Sequence, residues 1–305
     1  MTLVRKGLLG TLALLLVLWV EASAQLARTP VIVDTDMDLD DLRAVALIFN
    51  SSHLQVKALV TSDGGLPPGE GARNLLRVLK FLGDSEVPVG KGKRLDKSPP
   101  RWRPLCETLK WEDLPAVPQD QKIPGAVPVI RRTLQKSKRK VTYVCLGPLS
   151  NLAGVLRQEP SVRRRLQSIY YYGTPPGARE AGWNTTRDPP AAAVVFTSGI
   201  PIFAFHLRES ETLQFNLKLF HDIQRLKSRS ARLIILLHRH LDINKLLRTG
   251  ALEAWDDTVA LYLNDPGLGN IKREPGKFPI FMVNGWDRKA ARTVYLEILS
   301  GGRVR

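Results

Sequence analysis

The sequence predicts an α/β fold with a mostly parallel central sheet flanked by helices. Three observations support this. Short apolar, β-branched runs alternate with amphipathic helical runs, the first such run ends in an acidic turn, and a chain of 305 residues can bury a large core. Strands that helices cover on both faces have apolar runs of this kind, so the alternation indicates βα units rather than hairpins.

The first unit begins with a strand predicted at residues 30–33. A helix over about 40–50 follows, because Leu42, Val45 and Phe49 recur on one helical face. The same alternation then predicts a strand at 56–61 with a helix at 71–82, a strand at 141–146 with a helix at 150–157, a strand at 169–172 with a helix at 189–197, and a last strand at 202–205.

Two longer segments break the alternation. Residues 84–128 are rich in proline and charge and carry Trp102 and Trp111, so we expect this segment to wrap the surface. Residues 218–262 have a mainly helical pattern. Neither segment marks a clear domain boundary.

Residues 1–24 have the composition of a secretory signal peptide. Two basic residues precede an apolar run at 8–20, and a small-residue cleavage site ends at Ala24. The run of 13 residues is too short to span a bilayer comfortably. We therefore expect an exported chain, periplasmic or extracellular, with one domain over 25–305 and no transmembrane segment after cleavage. An uncleaved N-terminal anchor is the alternative.

The formal net charge of +16 raises the question of a nucleic-acid partner. The basic residues are scattered, and their densest groups, at 136–140 and 163–165, have neither interleaved aromatic residues nor a recognisable nucleic-acid module. We expect solvated basic faces with non-specific attraction to anionic surfaces, and no specific nucleic-acid partner.

The chain has two cysteines, Cys106 and Cys145. Export permits a disulfide. Cys145, however, lies inside an apolar strand-like run, where a buried free thiol is common. We therefore expect free thiols.

The most informative segment is residues 34–41, where aspartates crowd at the end of the first strand. Carboxylates this close repel one another and raise each other's pKa, and a divalent cation with oxygen ligands would relieve the repulsion. The crevice beyond the carboxyl ends of the strands is also where open α/β sheets bind ligands. The alternative is a solvated turn with an acidic N-cap. The residues concerned are Asp34, Asp36, Asp38, Asp40 and Asp41.

Three later segments carry further polar groups. Residues 144–151 are a strand that enters a tight turn and a helix. Residues 183–189 precede a helix, with Asp188 as the expected N-cap. Residues 255–262 place the acidic pair Asp256 and Asp257 at a helix start.

Together these segments resemble the inosine–uridine-preferring nucleoside hydrolase family. Residues 34–41 match its opening motif, D-x-D-P-G-x-D-D; residues 147–151 match its G-P-L-T-N turn; and Asp256 matches its late acidic residue. The resemblance runs from about Val31 to Pro266. It implies a Rossmann-like nucleoside hydrolase fold.

The resemblance also implies a Ca²⁺-assisted hydrolase of N-glycosidic bonds in ribonucleosides or related ribosides. Asp36 would accept a proton from the attacking water, while Asp40 and Asn184 would hold sugar hydroxyls. The expected partner is a small nucleoside or riboside, and self-association into a homo-oligomer stays open. The implied metal ligands are Asp34, Asp40, Asp41, Asp256 and the main-chain carbonyl of Leu146.

The sequence departs from the family pattern at several positions. Met37 and Asp38 replace the usual Pro-Gly, Gly182 replaces a Glu, and Trp255 replaces a His. These changes leave the metal ligands in place and remove sugar and base contacts. We expect Trp255 to stack on the leaving group. Two alternatives remain: an exported ribose- or nucleoside-binding protein without turnover, and a haloacid-dehalogenase-like phosphatase, which also begins with Asp-x-Asp.

Overall fold

The structure is a computed structural model that describes residues 28–239 and 241–301. The predicted signal peptide, residues 1–24, lies outside the described residues. An eight-stranded sheet forms the centre, in the order β3-β2-β1-β4-β5-β6-β8-β7. The strands are β1 (Thr29–Thr35), β2 (Leu54–Thr61), β3 (Val89–Lys91), β4 (Val141–Cys145), β5 (Leu166–Tyr172), β6 (Ile202–Phe205), β7 (Asn270–Arg273) and β8 (Ile280–Asn284).

Helices connect and cover these strands. Within the described residues, no helix combines the length and apolar character that crossing a membrane requires. The helices are α1 (Leu39–Asn50), α2 (Pro68–Leu82), α3 (Arg103–Glu107), α4 (Ala126–Lys136), α5 (Ser150–Gln158), α6 (Trp183–Arg187), α7 (Pro189–Phe196), α8 (Leu217–Gln224), α9 (Arg229–Leu237), α10 (Leu241–Thr249), α11 (Asp257–Asn264) and α12 (Arg288–Ser300).

The sheet is parallel except for the edge pair β7–β8, which confirms the predicted fold class. Strand β1 lies between β2 and β4 and is parallel to both, with Asp34 in register with Val60 of β2 and Cys145 of β4. The carboxyl ends of these three strands therefore meet at one edge of the sheet. Because crossover helices begin at that edge, the loops after the strands converge there.

The core has two layers, one on each face of the sheet. Side chains of β1 alternate between them: Val31 and Val33 pack under α1, α2, α9, α11 and α12, while Ile32 packs under α4, α5 and α7. All three side chains are fully buried. Both faces of the strand are therefore covered, which explains its unbroken apolar sequence.

Some elements were absent from the sequence prediction. The surface segment 84–128 contains the short strand β3 and the helix α3, and β7, β8 and α12 are the last elements of the described residues. Strand β3 has three residues, too few for a period to emerge. Strand β7 is exposed along its whole length, so it lacks the apolar alternation that identifies a half-buried strand.

Candidate active site

A cavity of about 530 Å³ opens at the carboxyl edge of the sheet. The turn after β1 supplies one wall, and the start of α11 supplies the wall beside it. Among the residues that line the cavity are Asp36, Asp38, Asp40, Asp41, Leu146, Asn184, Trp255 and Asp256. The fold thus brings most of the predicted site residues together. Asp34 does not line the cavity.

Hydrogen bonds fold the turn between β1 and α1. The Thr35 hydroxyl donates to Oδ1 of Asp41 over 2.5 Å, and the same oxygen accepts the backbone N–H of Asp36 at 3.0 Å. Asp38 caps the helix by accepting the N–H of Leu39 at 2.7 Å. The acidic N-cap interpretation is therefore right for Asp38. It does not explain Asp36, Asp40 and Asp41, which face the cavity.

Met37 in this turn has a φ of 66°, in the left-handed region that non-glycine residues seldom adopt. Its N–H donates to the Thr35 hydroxyl at 3.0 Å, and its side chain is fully buried. A Cβ on Gly71 would lie 3.0 Å from Cγ of Met37. The turn therefore has a strained backbone at a residue that is not glycine, and packing of the buried Met37 side chain stabilises this conformation.

Asp40, Asp41 and Asp256 form a group in which one carboxylate oxygen from each lies within 4.8 Å of the others. The backbone N–H of Asp256 donates to Oδ2 of Asp40 at 3.3 Å, which ties the start of α11 to α1. Asp41 and Asp256 are buried, and Asp40 is half-buried. Oδ2 of Asp41 and Oδ1 of Asp256 have no hydrogen-bond partner. These buried, unpaired acceptor oxygens fit a hard cation.

The pKa values of the grouped carboxyls also indicate a site that lacks a positive charge. Burial is the main cause that raises the pKa of Asp41, to about 6, and the neighbouring Asp40 raises it further. Burial also raises the pKa of Asp256 well above its ordinary value, and the charge of Asp41 adds to the effect. Without a counter-charge, the folded chain therefore favours protonated carboxyls here.

The cavity floor next to this group is formed by Asp36. Its Oδ1 is buried without a hydrogen-bond partner, and the nearby backbone N–H of Gly65 lowers the pKa of the carboxylate by less than burial raises it. A Cβ on Gly64 would lie 1.9 Å from Oδ2 of Asp36, and a Cβ on Gly147 would lie 2.8 Å from Cβ of Asp36. Two glycines therefore make room for this side chain. Burial, and then the charge of Asp41, raise the pKa of Asp36 well above its usual range.

Asp34 lies below the cavity and is fully buried. Its Oδ2 accepts the Tyr143 hydroxyl at 2.7 Å, and its Oδ1 accepts the Asn151 amide at 3.0 Å. It is not one of the three grouped carboxylates. Its role as a metal ligand stays a prediction.

The side chain of Asn184 is hydrogen-bonded to the main chain of Leu146. The Asn184 amide donates to the Leu146 carbonyl at 2.6 Å and to the Tyr172 carbonyl at 3.0 Å. Oδ1 of Asn184 is buried and has no partner. The side chain is therefore fixed by its donors, and its acceptor oxygen stays available at the cavity wall.

Aromatic rings form two sides of the cavity. Trp255 is half-buried and lies 6.1 Å from the Tyr172 ring, measured between centroids. Trp102 lies 5.1 Å from Trp183 in an edge-to-face contact. Trp255 thus lines the cavity instead of packing in the core, as the stacking prediction requires. His206 also lines the cavity.

Sequence reasoning missed a buried ionic network behind the carboxylate group. Nε of Arg43 lies 3.1 and 3.2 Å from the two carboxylate oxygens of Asp257, and its Nη2 donates to the Glu253 carbonyl at 2.7 Å. The Tyr295 hydroxyl donates to Asp257 at 2.7 Å. Arg43 and Asp257 are each at most 1 % exposed. The network joins α1, which carries Asp40 and Asp41, to the start of α11 beside Asp256.

A second buried network holds the mouth of the cavity. Asp63, just after β2, accepts Nη2 of Arg103 at 2.6 Å and Nη2 of Arg187 at 2.9 Å. It also accepts the N–H of Leu95 at 2.9 Å. These contacts fasten the rim, defined here as residues 95–103 and 183–187, to the end of β2. Such long-range pairs, between the end of a strand and two short helices, leave no periodic signal in a sequence.

Both cysteines are free and buried, as expected. The Cys106 thiol donates to Oδ1 of Asp38 at 3.2 Å. The Cys145 thiol donates to the carbonyl of Gly147 at 3.1 Å. Each thiol therefore has a polar partner next to the cavity floor.

The raised carboxyl pKa values predict a stability that depends on pH and metal. Burial is the first cause that raises the pKa of Asp34 to about 7 and of Asp38 to about 8. These folded-state pKa values exceed those of the unfolded chain, so protonation stabilises the fold at low pH. This stabilisation is lost as the pH rises from about 4 through about 8.

We therefore expect excess CaCl₂ to raise the melting temperature of the metal-free chain by about 5 °C or more at pH 8, and by less at pH 5. Differential scanning calorimetry at both pH values measures the shift. Asp256→Asn is the control and should reduce it. Equal shifts in the wild type and in this variant would contradict a site at the three carboxylates.

Comparison with known proteins agrees with this geometry. The sequence profile described as "Inosine-uridine preferring nucleoside hydrolase" matches residues 31–296. The pyrimidine-specific ribonucleoside hydrolase RihA of Citrobacter koseri is 35 % identical over 185 residues, which cover 57 % of this chain and 58 % of that protein. RihA of Salmonella arizonae is 32 % identical over 209 residues, which cover 65 % and 66 %. The chain thus spans less than two thirds of the length of these relatives.

Solved structures share the fold at lower identity. A plant nucleoside hydrolase superposes with a TM-score of 0.72 at 21 % identity, covering 90 % of this chain and 99 % of that one. The purine-preferring ribonucleoside hydrolase of Gardnerella vaginalis superposes with a TM-score of 0.72 at 20 % identity, covering 90 % and 98 %. With a profile match over nearly the whole described chain, the protein belongs to the inosine–uridine-preferring nucleoside hydrolase family.

Proposed function

We propose that the chain is a Ca²⁺-dependent hydrolase of N-glycosidic bonds in ribonucleosides or related ribosides. The observation that carries the proposal is the group of Asp40, Asp41 and Asp256 beside Asp36 on the floor of one cavity. The cavity volume of about 530 Å³ is in the range of small-molecule sites. Family membership supports hydrolysis of N-glycosidic bonds and argues against the phosphatase alternative.

Asp40, Asp41 and Asp256 would hold the cation, since their oxygens converge and two of them lack partners. Asp34 and the Leu146 carbonyl complete the proposed ligand set. Each of their oxygens accepts one hydrogen bond and keeps a second lone pair. A bound cation lowers the pKa of water and orients it. Oxygen-only ligands favour Ca²⁺ or Mg²⁺, and a ligand set this rich in carboxylates favours Ca²⁺.

The residues of the chain then divide the reaction between them. Asp36 accepts the proton of the attacking water at its unpaired Oδ1, as the water oxygen forms a bond to the anomeric carbon. The N-glycosidic bond breaks, and the leaving nitrogen keeps its electron pair. Positive charge that develops on the sugar is stabilised by the surrounding carboxylates. Asp40 and Oδ1 of Asn184 accept sugar hydroxyls and fix the ring.

A panel of nucleosides tests the proposal. Purified chain with CaCl₂ should release reducing sugar from uridine, cytidine, inosine or an activated riboside, and EDTA should stop the release. The alternative of a binding protein without turnover gains support from Gly182 and Trp255, which replace family side chains. It predicts calorimetric binding of these ligands with no sugar released.

Trp255 is expected to shape the choice of leaving group. An indole can stack on a flat group but has no proton to give near neutral pH. A nitrophenyl riboside should therefore be cleaved at least about tenfold better than inosine, because its leaving group needs no protonation. Trp255→Ala should raise KM for both substrates by about tenfold, the loss of one stacking contact.

Trp255→Phe is the matched control, since it keeps an aromatic face and should retain most of the affinity. Steady-state kinetics on both substrates measure kcat and KM separately. If inosine is cleaved as well as the activated riboside, or if Trp255→Ala leaves KM unchanged, the stacking role is wrong.

We further propose that the chain is exported, to the periplasm or the outside of the cell, on the evidence of residues 1–24. The proposed partner is a small nucleoside or riboside that reaches the enzyme there. Formation of a homo-oligomer stays a prediction. Cell fractionation and N-terminal sequencing of the expressed protein test export and cleavage after Ala24.

A further inference from the structure

A cluster of basic side chains lies at the edge of the sheet opposite the cavity. We define the basic face as Lys136, Lys138, Lys140, Arg163, Arg164 and Arg165. Val141 of β4 pairs with Leu166 of β5, so Lys140 and Arg165 directly precede two neighbouring strands. Helix α4, which ends at Lys136, packs against the 3₁₀ helix Pro160–Arg165. The topology therefore gathers two charge runs that are separate in the sequence.

The charges of the basic face are not neutralised within the described part of the chain. All six side chains are exposed, and none takes part in the ion pairs found among the described residues. The Glu159 carboxylate, which precedes the 3₁₀ helix, accepts the Ser161 hydroxyl at 3.4 Å. A concentrated positive potential thus faces solvent at this edge.

The chain enters the fold at the same edge. The Arg139 guanidinium donates to the carbonyl of Arg28 at 2.9 Å, immediately before β1 begins at Thr29. In the sequence, the apolar run at 8–20 ends a few residues before Arg28. Seven intervening residues can span at most about 25 Å when extended. If residues 1–24 stay uncleaved as an anchor, the bilayer that holds the apolar run would therefore lie close to the basic face.

We propose that the basic face docks on the surface of an anionic phospholipid bilayer. Anionic headgroups attract clustered lysine and arginine side chains within about a Debye length, without requiring a groove or a sequence-specific contact. In this orientation the cavity, at the other end of the strands, opens away from the lipid. The electrostatic contact is independent of the proposed hydrolysis and persists whether or not residues 1–24 are cleaved.

A nucleic acid fits the basic face less well. Single strands bind through aromatic side chains on which bases stack, in addition to phosphate contacts. The large hydrophobic side chains exposed in the described part of the chain, Trp102 and Ile271, belong to the cavity rim and to strand β7. The basic face has no such ring.

Vesicle sedimentation tests the proposal with the full chain as purified. Neutral phosphatidylcholine vesicles are compared with vesicles that contain about one quarter phosphatidylglycerol, from low to high NaCl. We expect at least tenfold tighter binding to the anionic vesicles at low salt, and loss of this difference at high salt. The difference between the two lipids isolates the electrostatic part from any apolar contribution of residues 8–20.

Two triple variants locate the contact. The first triple variant combines Arg163→Glu, Arg164→Glu and Arg165→Glu. Its preference for anionic over neutral vesicles should fall by about tenfold or more. The control changes Lys218, Lys227 and Arg232 to Glu. These exposed residues lie on α8 and α9 and in the segment between them, on the opposite face of the sheet from α4. The control changes the net charge by the same amount as the first variant. It should keep most of the preference. Circular dichroism confirms folding, and Lys136→Glu with Lys138→Glu and Lys140→Glu replaces the first variant if that one unfolds.

Three results would overturn the proposal. Equal losses in both triple variants would indicate net charge instead of the basic face. Equal binding of the wild type to neutral and anionic vesicles would remove the electrostatic contact. Complete displacement from anionic vesicles by a single-stranded oligonucleotide at equal phosphate concentration would assign the face to nucleic acid.

Discussion

Asp36→Asn is expected to reduce hydrolysis on the order of 10²–10⁴-fold while sparing metal binding. Asn is nearly isosteric with Asp, so it fits the space that Gly64 and Gly147 leave for this side chain. It cannot accept the proton of the attacking water. Asp36 is not part of the group formed by Asp40, Asp41 and Asp256, so the proposed cation ligands remain. Sugar release and Ca²⁺ calorimetry on the same preparation measure both quantities.

Asp256→Asn is the matched control for this experiment. It changes one carboxylate to an amide in the same cavity, but it removes a grouped ligand, so it should weaken Ca²⁺ binding together with activity. Metal affinity that falls equally in the two variants would place Asp36 among the ligands. Retained activity in Asp36→Asn would remove it from the mechanism.

The second large effect concerns stability. Arg43→Met should lower the free energy of unfolding by about 3–5 kcal/mol, because it leaves the buried Asp257 carboxylate without its cation. Methionine keeps an apolar stem in the space of the arginine, so the loss reports mainly on charge and hydrogen bonds, including the bond to the Glu253 carbonyl. Urea unfolding at pH 7, followed by circular dichroism, gives the free energy.

The pair Arg225–Asp222, whose arginine is largely exposed and whose carboxylate also pairs with Arg292, provides a control of similar chemistry. Its Nη1–Oδ1 distance is 3.3 Å, and the Arg225 side chain is 79 % exposed. Arg225→Met should therefore cost less than about 1 kcal/mol. The double variant Arg43→Met with Asp257→Leu should recover part of the loss, since no charge is then left unpaired. A loss from Arg43→Met no larger than that from Arg225→Met would show that the buried pair does not stabilise the fold.

The five adjacent strands β2, β1, β4, β5 and β6 could be predicted from the sequence because these strands are apolar and the helices between them are amphipathic. The final strand prediction, residues 202–205, coincides with β6. The acidic turn, Asn184, Trp255 and Asp256 converge because each follows or lies beside the carboxyl end of a strand. This edge is where a parallel sheet directs its loops.

The supporting networks could not be predicted in the same way. Arg43 stands among buried helix positions between Leu42 and Ala44, where a charged residue signals a buried partner but does not identify it. Its partner Asp257 is 214 positions away. Asp63 follows β2, whereas Arg103 and Arg187 belong to the short helices α3 and α6, and their encounter depends on the complete tertiary structure.

The Asp63 contacts limit how the cavity mouth can open to admit or release a small molecule. A single carboxylate holds Arg103 and Arg187, so the two halves of the rim cannot swing apart unless an ion pair breaks in nearly dry surroundings. Trp102 and Trp183, one on each half, touch across the gap. The rim thus moves as one piece or locally unfolds as one piece. Amide hydrogens of residues 95–103 and 183–187 should exchange at linked rates, set by one opening event instead of by independent opening of the two segments.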